Sequence, residues 1–262
     1  MRFFWLCGFS FLLASCASVE NREAISDLAP SGKLRAAINL GNPVLASRDA
    51  AGQPKGVSVD LARELGRRLG VPVELNTYDA AGKVVEAGRS GAWDIAFVAL
   101  DPGRAAEIAQ STPYVVIEGA YMVRQGSPIR ANADVDRAGH RVVVGRNSAY
   151  DLYLRRNLKQ AKIVQSPTSA GVVEMFLKDN FEVAAGVKQQ LEADAKKNPG
   201  VRILDGRFMV INQAMASQKG KDAGARYVRE FIEEMKASGF VARALERHGI
   251  QGAAVAPRGD AQ

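Results

Sequence analysis

Residues 90–104 read SGAWDIAFVALDPGR. Within this stretch Asp94-Ile95-Ala96-Phe97-Val98 turns continuously apolar after its first residue, as a strand covered on both faces does. Gly91 ends the helix expected over Ala80–Arg89. Asp101-Pro102 has the form of an N-cap followed by a first-turn proline, so a new helix starts directly after the strand. Helix, buried strand and helix in succession are the unit of an α/β fold, with parallel sheet between helical layers. Ligands in such folds sit beyond the carboxyl ends of strands, often between lobes. Arg104 stands at such an end.

The same cycle extends in both directions. Upstream, Lys33–Leu40 (KLRAAINL) is a strand after the Ser31-Gly32 turn, and Gly41–Lys55 is a loop. Ser58–Leu69 is a helix, with Leu61, Leu65 and Leu69 on one face; Gly70 suits its left-handed cap and Pro72 blocks continuation. Val71–Leu75 is the next strand. Downstream, Tyr114–Val123 is an unusually long strand, and Arg141–Val144 leads through Gly145 to a helix over Ser148–Leu158. Ile163-Val164, Val183–Val187, Val201–Leu204 and Phe208–Ala216 are strands, with helices over Ala170–Lys178 and Gln189–Lys197. Two helices close the chain, one with Tyr227, Val228, Phe231, Ile232 and Met235 on a face. Trp93, Phe97, Met175-Phe176 and Phe208-Met209 read as core. Residues 251–262 read as a disordered tail. Two separable α/β blocks imply two lobes.

The amino terminus is a separate matter. Arg2 precedes an apolar run, Phe3–Leu13, far short of the ~20 residues a membrane-spanning helix needs. Together with Leu13-Ala14-Ser15-Cys16, a lipobox, it reads as a secretion signal over residues 1–15, with Cys16 as the lipidated residue. An ordinary signal cleaved after Ser15-Cys16-Ala17 is the alternative. Residues 16–31, small and polar, read as a tether.

Cys7 and Cys16 are the only cysteines, so the mature body has no disulfide and no thiolate metal site. His140 and His248 lack a second ligand at metal spacing, and no metal or other cofactor is expected. The formal net charge of +7 is spread through pairs such as Arg67-Arg68, Arg155-Arg156 and Lys196-Lys197, each beside acidic or apolar residues. That pattern suits solvated helix faces rather than a nucleic-acid surface. No Gly-rich phosphate loop or His-containing catalytic triad appears.

An ordered set of motifs resembles the family-3 extracytoplasmic solute-binding proteins, the amino-acid-type receptors of ABC importers. The set comprises Gly32-Lys33-Leu34-Arg35, GQPKGVSVDLA at 52–62, Arg67-Arg68-Leu69-Gly70-Val71 and Ser90-Gly91-Ala92-Trp93-Asp94-Ile95-Ala96. It continues through Asp101-Pro102-Gly103-Arg104, Ser111-Thr112-Pro113-Tyr114 and Gly145-Arg146-Asn147-Ser148-Ala149-Tyr150. The resemblance implies a two-lobed periplasmic-binding-protein fold of type II, its ligand cleft between lobes joined by two crossing strands. Lobe 1 would be 27–118 plus 213–250 and lobe 2 would be 119–212, with crossings near Glu118-Gly119 and Ile211-Asn212-Gln213.

By the same resemblance Arg104 takes the place of the arginine that holds the ligand carboxylate. A guanidinium fork matches a carboxylate with two charge-assisted bonds. The alternative is a surface helix residue paired with Glu107. Asp101 replaces the family's usual threonine. Ser148, at a helix start, is a ligand contact, an N-cap, or both. Tyr150 either lines the cleft or packs inside lobe 2. The chain also departs from the pattern. Asn42 and Ala81 stand near the places of the aromatics that sandwich a ligand side chain. The segment between Asp94 and Arg104 is shorter, and the aspartate that pairs with the ligand ammonium falls near Val187 or Lys188. Glu118 is the available replacement, or else an exposed hinge residue.

The expectation is therefore an extracytoplasmic, lipid-anchored, monomeric receptor for a small carboxylated solute, an amino acid or a relative of one. It would serve an ABC permease in the inner membrane. A cyclohexadienyl-type dehydratase is the alternative, with Glu118 as general acid and Arg104 holding the carboxylate.

Overall fold

In the computed structural model, which describes residues 21–259, the 94–98 run becomes β5 (Ile95–Ala99), buried at every position. β5 lies parallel to β1 (Leu34–Asn39), and β1 lies parallel to β4 (Val73–Tyr78). Helices α2 (Val57–Leu69) and α3 (Ala81–Arg89) make the intervening connections. The expected αL cap is present: Gly70 has φ 69° and its N–H closes the last turn of α2 on Arg67. Trp93 is fully buried, its indole N–H donating to the Val84 carbonyl at 2.8 Å. It packs against Gly88, where a Cβ would come within 2.6 Å of the ring. The loop expected at Gly41–Lys55 contains a small hairpin, β2 (Ser47–Arg48) with β3 (Pro54–Lys55).

Asp94 explains why the stretch opens on an acid. Its buried carboxylate accepts from the Arg35 backbone N–H (2.8 Å), from Arg35 Nε (3.0 Å) and from Arg35 Nη2 (2.7 Å). It thereby pins β5 to β1. The second lobe repeats the device. There β7 (Arg141–Gly145) lies between parallel strands β8 (Lys162–Ser166) and β9 (Val183–Val187). Glu182, just before β9, accepts from the Arg141 N–H, Nε and Nη2 at 2.7–2.9 Å. Helices α5 (Ala149–Asn157), α6 (Val172–Lys178) and α7 (Lys188–Lys197) complete this lobe.

Two long strands join the lobes. β6 (Ile108–Arg124) is longer than the expected Tyr114–Val123, and β11 (Met209–Gln218) pairs with it antiparallel from Gln218↔Ile108 to Met209↔Gly119. β11 meets β5 only through Gln213–Ser217, while β6 meets β9 only through Gly119–Met122. The continuous strand order β4-β1-β5-β11-β6-β9-β7-β8 follows, with β10 (Val201–Ile203) also on β6. Pro113 has no N–H for the ladder, and the register shifts around it. Ser111 Oγ takes up the Met215 N–H there, at 3.2 Å.

Both expected unstructured ends need correction where they are described. Within the expected tether, residues 21–28 form a helix, α1. Ala24 and Leu28 are buried, Asp27 accepts from the Gly224 N–H, and Leu28 packs where a side chain at Gly224 would stand. Gly224 belongs to α8 (Asp222–Ala237), whose Val228, Phe231, Ile232 and Met235 are buried as read. The helix α9 (Phe240–Arg247) follows. Within the expected disordered tail, β12 (Ala254–Val255) pairs with Val116 and Val115, on the edge of β6 opposite β11. Ala256 N–H donates to Tyr114 O, and Lys236 Nζ to Pro257 O. Backbone groups on an uncovered strand edge need partners, and a small-residue tail supplies them without any hydrophobic pattern of its own. The expected signal peptide and Cys16 lie outside the described residues.

Deleting residues 252–262 should therefore destabilise the fold. At about 1 kcal/mol per lost hydrogen bond, a loss of about 2 kcal/mol lowers Tm by about 4–8 °C in a protein of this size. Thermal melting followed by circular dichroism checks this, and an unchanged Tm would show that the segment contributes nothing.

Candidate functional site

At the carboxyl end of β5 the chain turns into the one-turn helix α4 (Pro102–Ala105). Asp101 is its N-cap, accepting from the Gly103 N–H at 2.9 Å, with Pro102 in the first turn. This tight start turns Arg104 inward. Its side chain is 3% exposed and is no surface residue; Glu107 pairs with Arg89 instead. Arg104 Nη1 donates to the Ala99 carbonyl at 3.0 Å, and Nη2 donates to the Asn147 carbonyl at 2.8 Å. The first acceptor ends β5 in lobe 1; the second lies in the loop before α5 in lobe 2. Among the described residues no carboxylate forms an ion pair with Arg104. Burial accordingly pushes its guanidinium down to about 10, and the nearby Asp101 opposes this only in part. It remains a cation at neutral pH, held in the interior by two neutral carbonyls.

Asn147 is the acceptor that sequence reading passed over. It has φ 54°, a left-handed conformation uncommon outside glycine. Its N–H donates to Asp151 Oδ2 at 2.7 Å. That bond and the Ser148 cap of α5, where Ser148 Oγ accepts from the Asp151 N–H, hold the Asn147 carbonyl toward lobe 1. The signal was in the sequence: asparagine tolerates the left-handed region and here directly precedes an N-cap serine. A second tie runs from Arg156 on α5 to Asp101 Oδ2 at 2.7 Å.

Arg104, Asn42, Ser148 and Tyr150 all line one small cavity between the lobes, with Ala81, Val187 and Gln213 among their neighbours. Both positions expected to lack the sandwiching aromatics, Asn42 and Ala81, thus do face it. The cavity measures about 30 Å³, room for about two water molecules. Tyr150 lines the cavity, and its hydroxyl donates to Ser169 Oγ at 2.9 Å. Gly145 makes room, since a Cβ there would meet both oxygens within 2.8 Å. Asn42 is 7% exposed, and its Oδ1 has no hydrogen-bond partner among the described residues. On its other side Arg104 borders a wider groove of about 390 Å³ between α3, α4 and α5.

Glu118 is not brought to this cavity. Its carboxylate, on the crossing strand, binds Arg207 Nη1 at 2.7 Å and Lys188 Nζ at 3.3 Å. The Arg207 bond, aided by Lys188, holds it below the usual carboxylate range. The missing ammonium-pairing aspartate and a place on a crossing strand made it a candidate; the two cations supplied by distant segments engage it instead.

The lobes meet closely at Gly82 on α3, where a Cβ would stand 2.7 Å from Asn147 Cβ. Gly82→Val should hold the lobes apart and break the Arg104–Asn147 bond. Small-angle scattering should then show a larger radius of gyration than the parent's, whereas superimposable profiles would mean that this contact does not set the closure.

Several solved structures share this fold. A mutant of ArgBP from T. maritima superposes with a TM-score of 0.75 at 20% identity, covering 87% of this chain and 100% of that one. A solute receptor for L-cysteine of Neisseria gonorrhoeae gives 0.74 at 24% identity, covering 86% and 92%. An ancestral amino acid-binding protein described as a precursor of cyclohexadienyl dehydratase gives 0.72 at 21% identity, covering 85% and 98%. At these identities the likeness concerns the fold. Among curated proteins no sequence matches significantly. The family model of the bacterial extracellular solute-binding proteins, family 3, matches residues 34–251. With two lobes on two crossing strands and a polar cavity between them, the chain belongs to that family of extracellular solute-binding proteins.

Proposed function

We propose that this chain is a receptor that closes on a small carboxylated solute, with Arg104 as the carboxylate clamp, and delivers it to an ABC importer permease. The observation that carries this is a buried guanidinium without a carboxylate partner, facing a cavity between two lobes. Buried charge is costly unless paired. An incoming carboxylate exchanges the Asn147 carbonyl for a charged acceptor and offsets that cost. Asp101 positions the clamp through α4, while Ser148, Asn42 and Tyr150 complete the polar wall. The solved relatives named for arginine and L-cysteine support a solute of amino-acid size.

Closure follows as a population shift, since a ligand touching both walls favours the closed form. The present cavity is too small for such a solute, so entry requires the lobes to part about the crossings near Glu118-Gly119 and Ile211–Gln213. Lobe 1 is then 27–118 plus 213–250 and lobe 2 is 119–212; the change of strand partners at Gly119 and at Gln213 supports both boundaries. Glu118 disfavours the dehydratase alternative: a general acid must hold a proton, whereas Arg207 and Lys188 favour its ionised form. The lipobox supports a lipid anchor on Cys16, with the receptor working as a monomer on the outer side of the membrane.

A thermal-shift screen of amino acids and small carboxylates identifies the solute, because a ligand of the native state raises Tm. Arg104→Lys should then weaken binding at least tenfold, or about 1.4 kcal/mol, since one ammonium cannot reproduce two parallel bonds. The unliganded variant should still unfold in one cooperative transition, so that the loss reports on binding rather than folding. Equal affinity by calorimetry would overturn the clamp. Cys16→Ser should abolish acyl labelling and release the protein from membranes; undiminished membrane attachment would rule out the anchor.

A further inference from the structure

We infer that the cleft selects a small 2-hydroxy monocarboxylate, an anion without an ammonium group, over the α-amino acid of the same carbon skeleton. This rests on the reading that Arg104 holds the ligand carboxylate, and it follows from the charge of the cavity wall. Among the described residues Arg104 is the one ionisable cation lining the cavity, and no carboxylate lines it. A bound monoanion brings the closed site to neutrality. A bound zwitterion leaves the site with a net positive charge and buries an ammonium without a counter-ion, since the rest of the lining is neutral.

The carboxylates nearest in the fold are already engaged. Asp101 accepts from the Gly103 N–H and from Arg156. Glu118 is held by Arg207 and Lys188. Asp151 accepts from the Asn147 N–H and Gln165 Nε2 and pairs with Arg155 at 3.1 Å. Freeing any of them for a ligand ammonium would leave another cation or a backbone donor unpaired. A neutral donor is provided for, however. Asn42 Oδ1 is buried at the cavity without a hydrogen-bond partner among the described residues, and it matches a hydroxyl beside the ligand carboxylate. The same oxygen meets one N–H of an ammonium but leaves its charge uncompensated. Short skeletons of two to four carbons are the starting panel for so small a closed cavity.

Calorimetry at pH 7 on the full chain with isosteric pairs tests the inference: glycolate with glycine, L-lactate with L-alanine, and (S)-2-hydroxybutyrate with L-2-aminobutyrate. Each pair keeps the carboxylate and skeleton and exchanges hydroxyl for ammonium. The hydroxy acid should bind at least tenfold more tightly wherever a pair binds. An amino acid binding as tightly or more tightly overturns the inference; if that binding falls in Arg104→Lys, the receptor reading stands. Binding of none of the six also overturns it, and the broader thermal-shift panel then decides the receptor reading by itself. Val187→Asp places a carboxylate in the wall and should move the preference at least tenfold toward the amino acid. An unchanged ratio in that variant, with a native melting curve, would show that charge does not discriminate and would overturn the inference independently.

Discussion

A guanidinium buried between two lobes constrains the rest of this structure. Arg104 is charged at neutral pH, almost wholly removed from water, and held by one carbonyl from each lobe. A cation in that position must be surrounded by acceptors. The carboxyl end of β5, the capped one-turn helix α4 and the left-handed Asn147 all serve that need. The closed arrangement is thus tied by the protein's own groups, through Arg104 to Asn147 and through Arg156 to Asp101. The first of these ties is available for exchange, because a carbonyl acceptor is weaker than a carboxylate. Such contacts close the cleft without locking it.

The lobes themselves are stiffened by a repeated device. In each, the arginine on the first strand of a parallel pair is gripped by an acid just before the neighbouring strand, Arg35 by Asp94 and Arg141 by Glu182. The same carboxylate takes a backbone N–H and the guanidinium fork, which fixes the strands in register and direction. The proposed opening would then fall on the crossing strands. There Pro113 and the register shifts opposite it already interrupt the ladder between β6 and β11. The polar wall of the cleft is carried on these rigid parts, at strand ends and helix starts, where backbone groups lack partners within their own element.

The elements were legible in the sequence because their causes are local. β5 is apolar throughout since both its faces are covered; α2 shows its leucine stripe and its glycine cap; Asp101-Pro102 announces a helix start. Arg104, Ser148, Tyr150 and Asn42, which line the cavity, were named together with Asp101 and Glu118 through the family resemblance, because the ordered motifs fix their places in that fold. Whatever depends on partners far apart in the chain was decided only by the tertiary structure. Glu118 left the cleft because Arg207 and Lys188, from other segments, reach it first. Residues 254–256 became ordered because β6 exposes an edge there, and residues 21–28 became a helix seat for α8 through Leu28 and Gly224. Asn147 gained its role from a carbonyl, which every residue carries and no side-chain pattern reveals. Local periodicity specifies which segments become strands and helices; the pairing of buried charges and strand edges is settled only when distant residues meet.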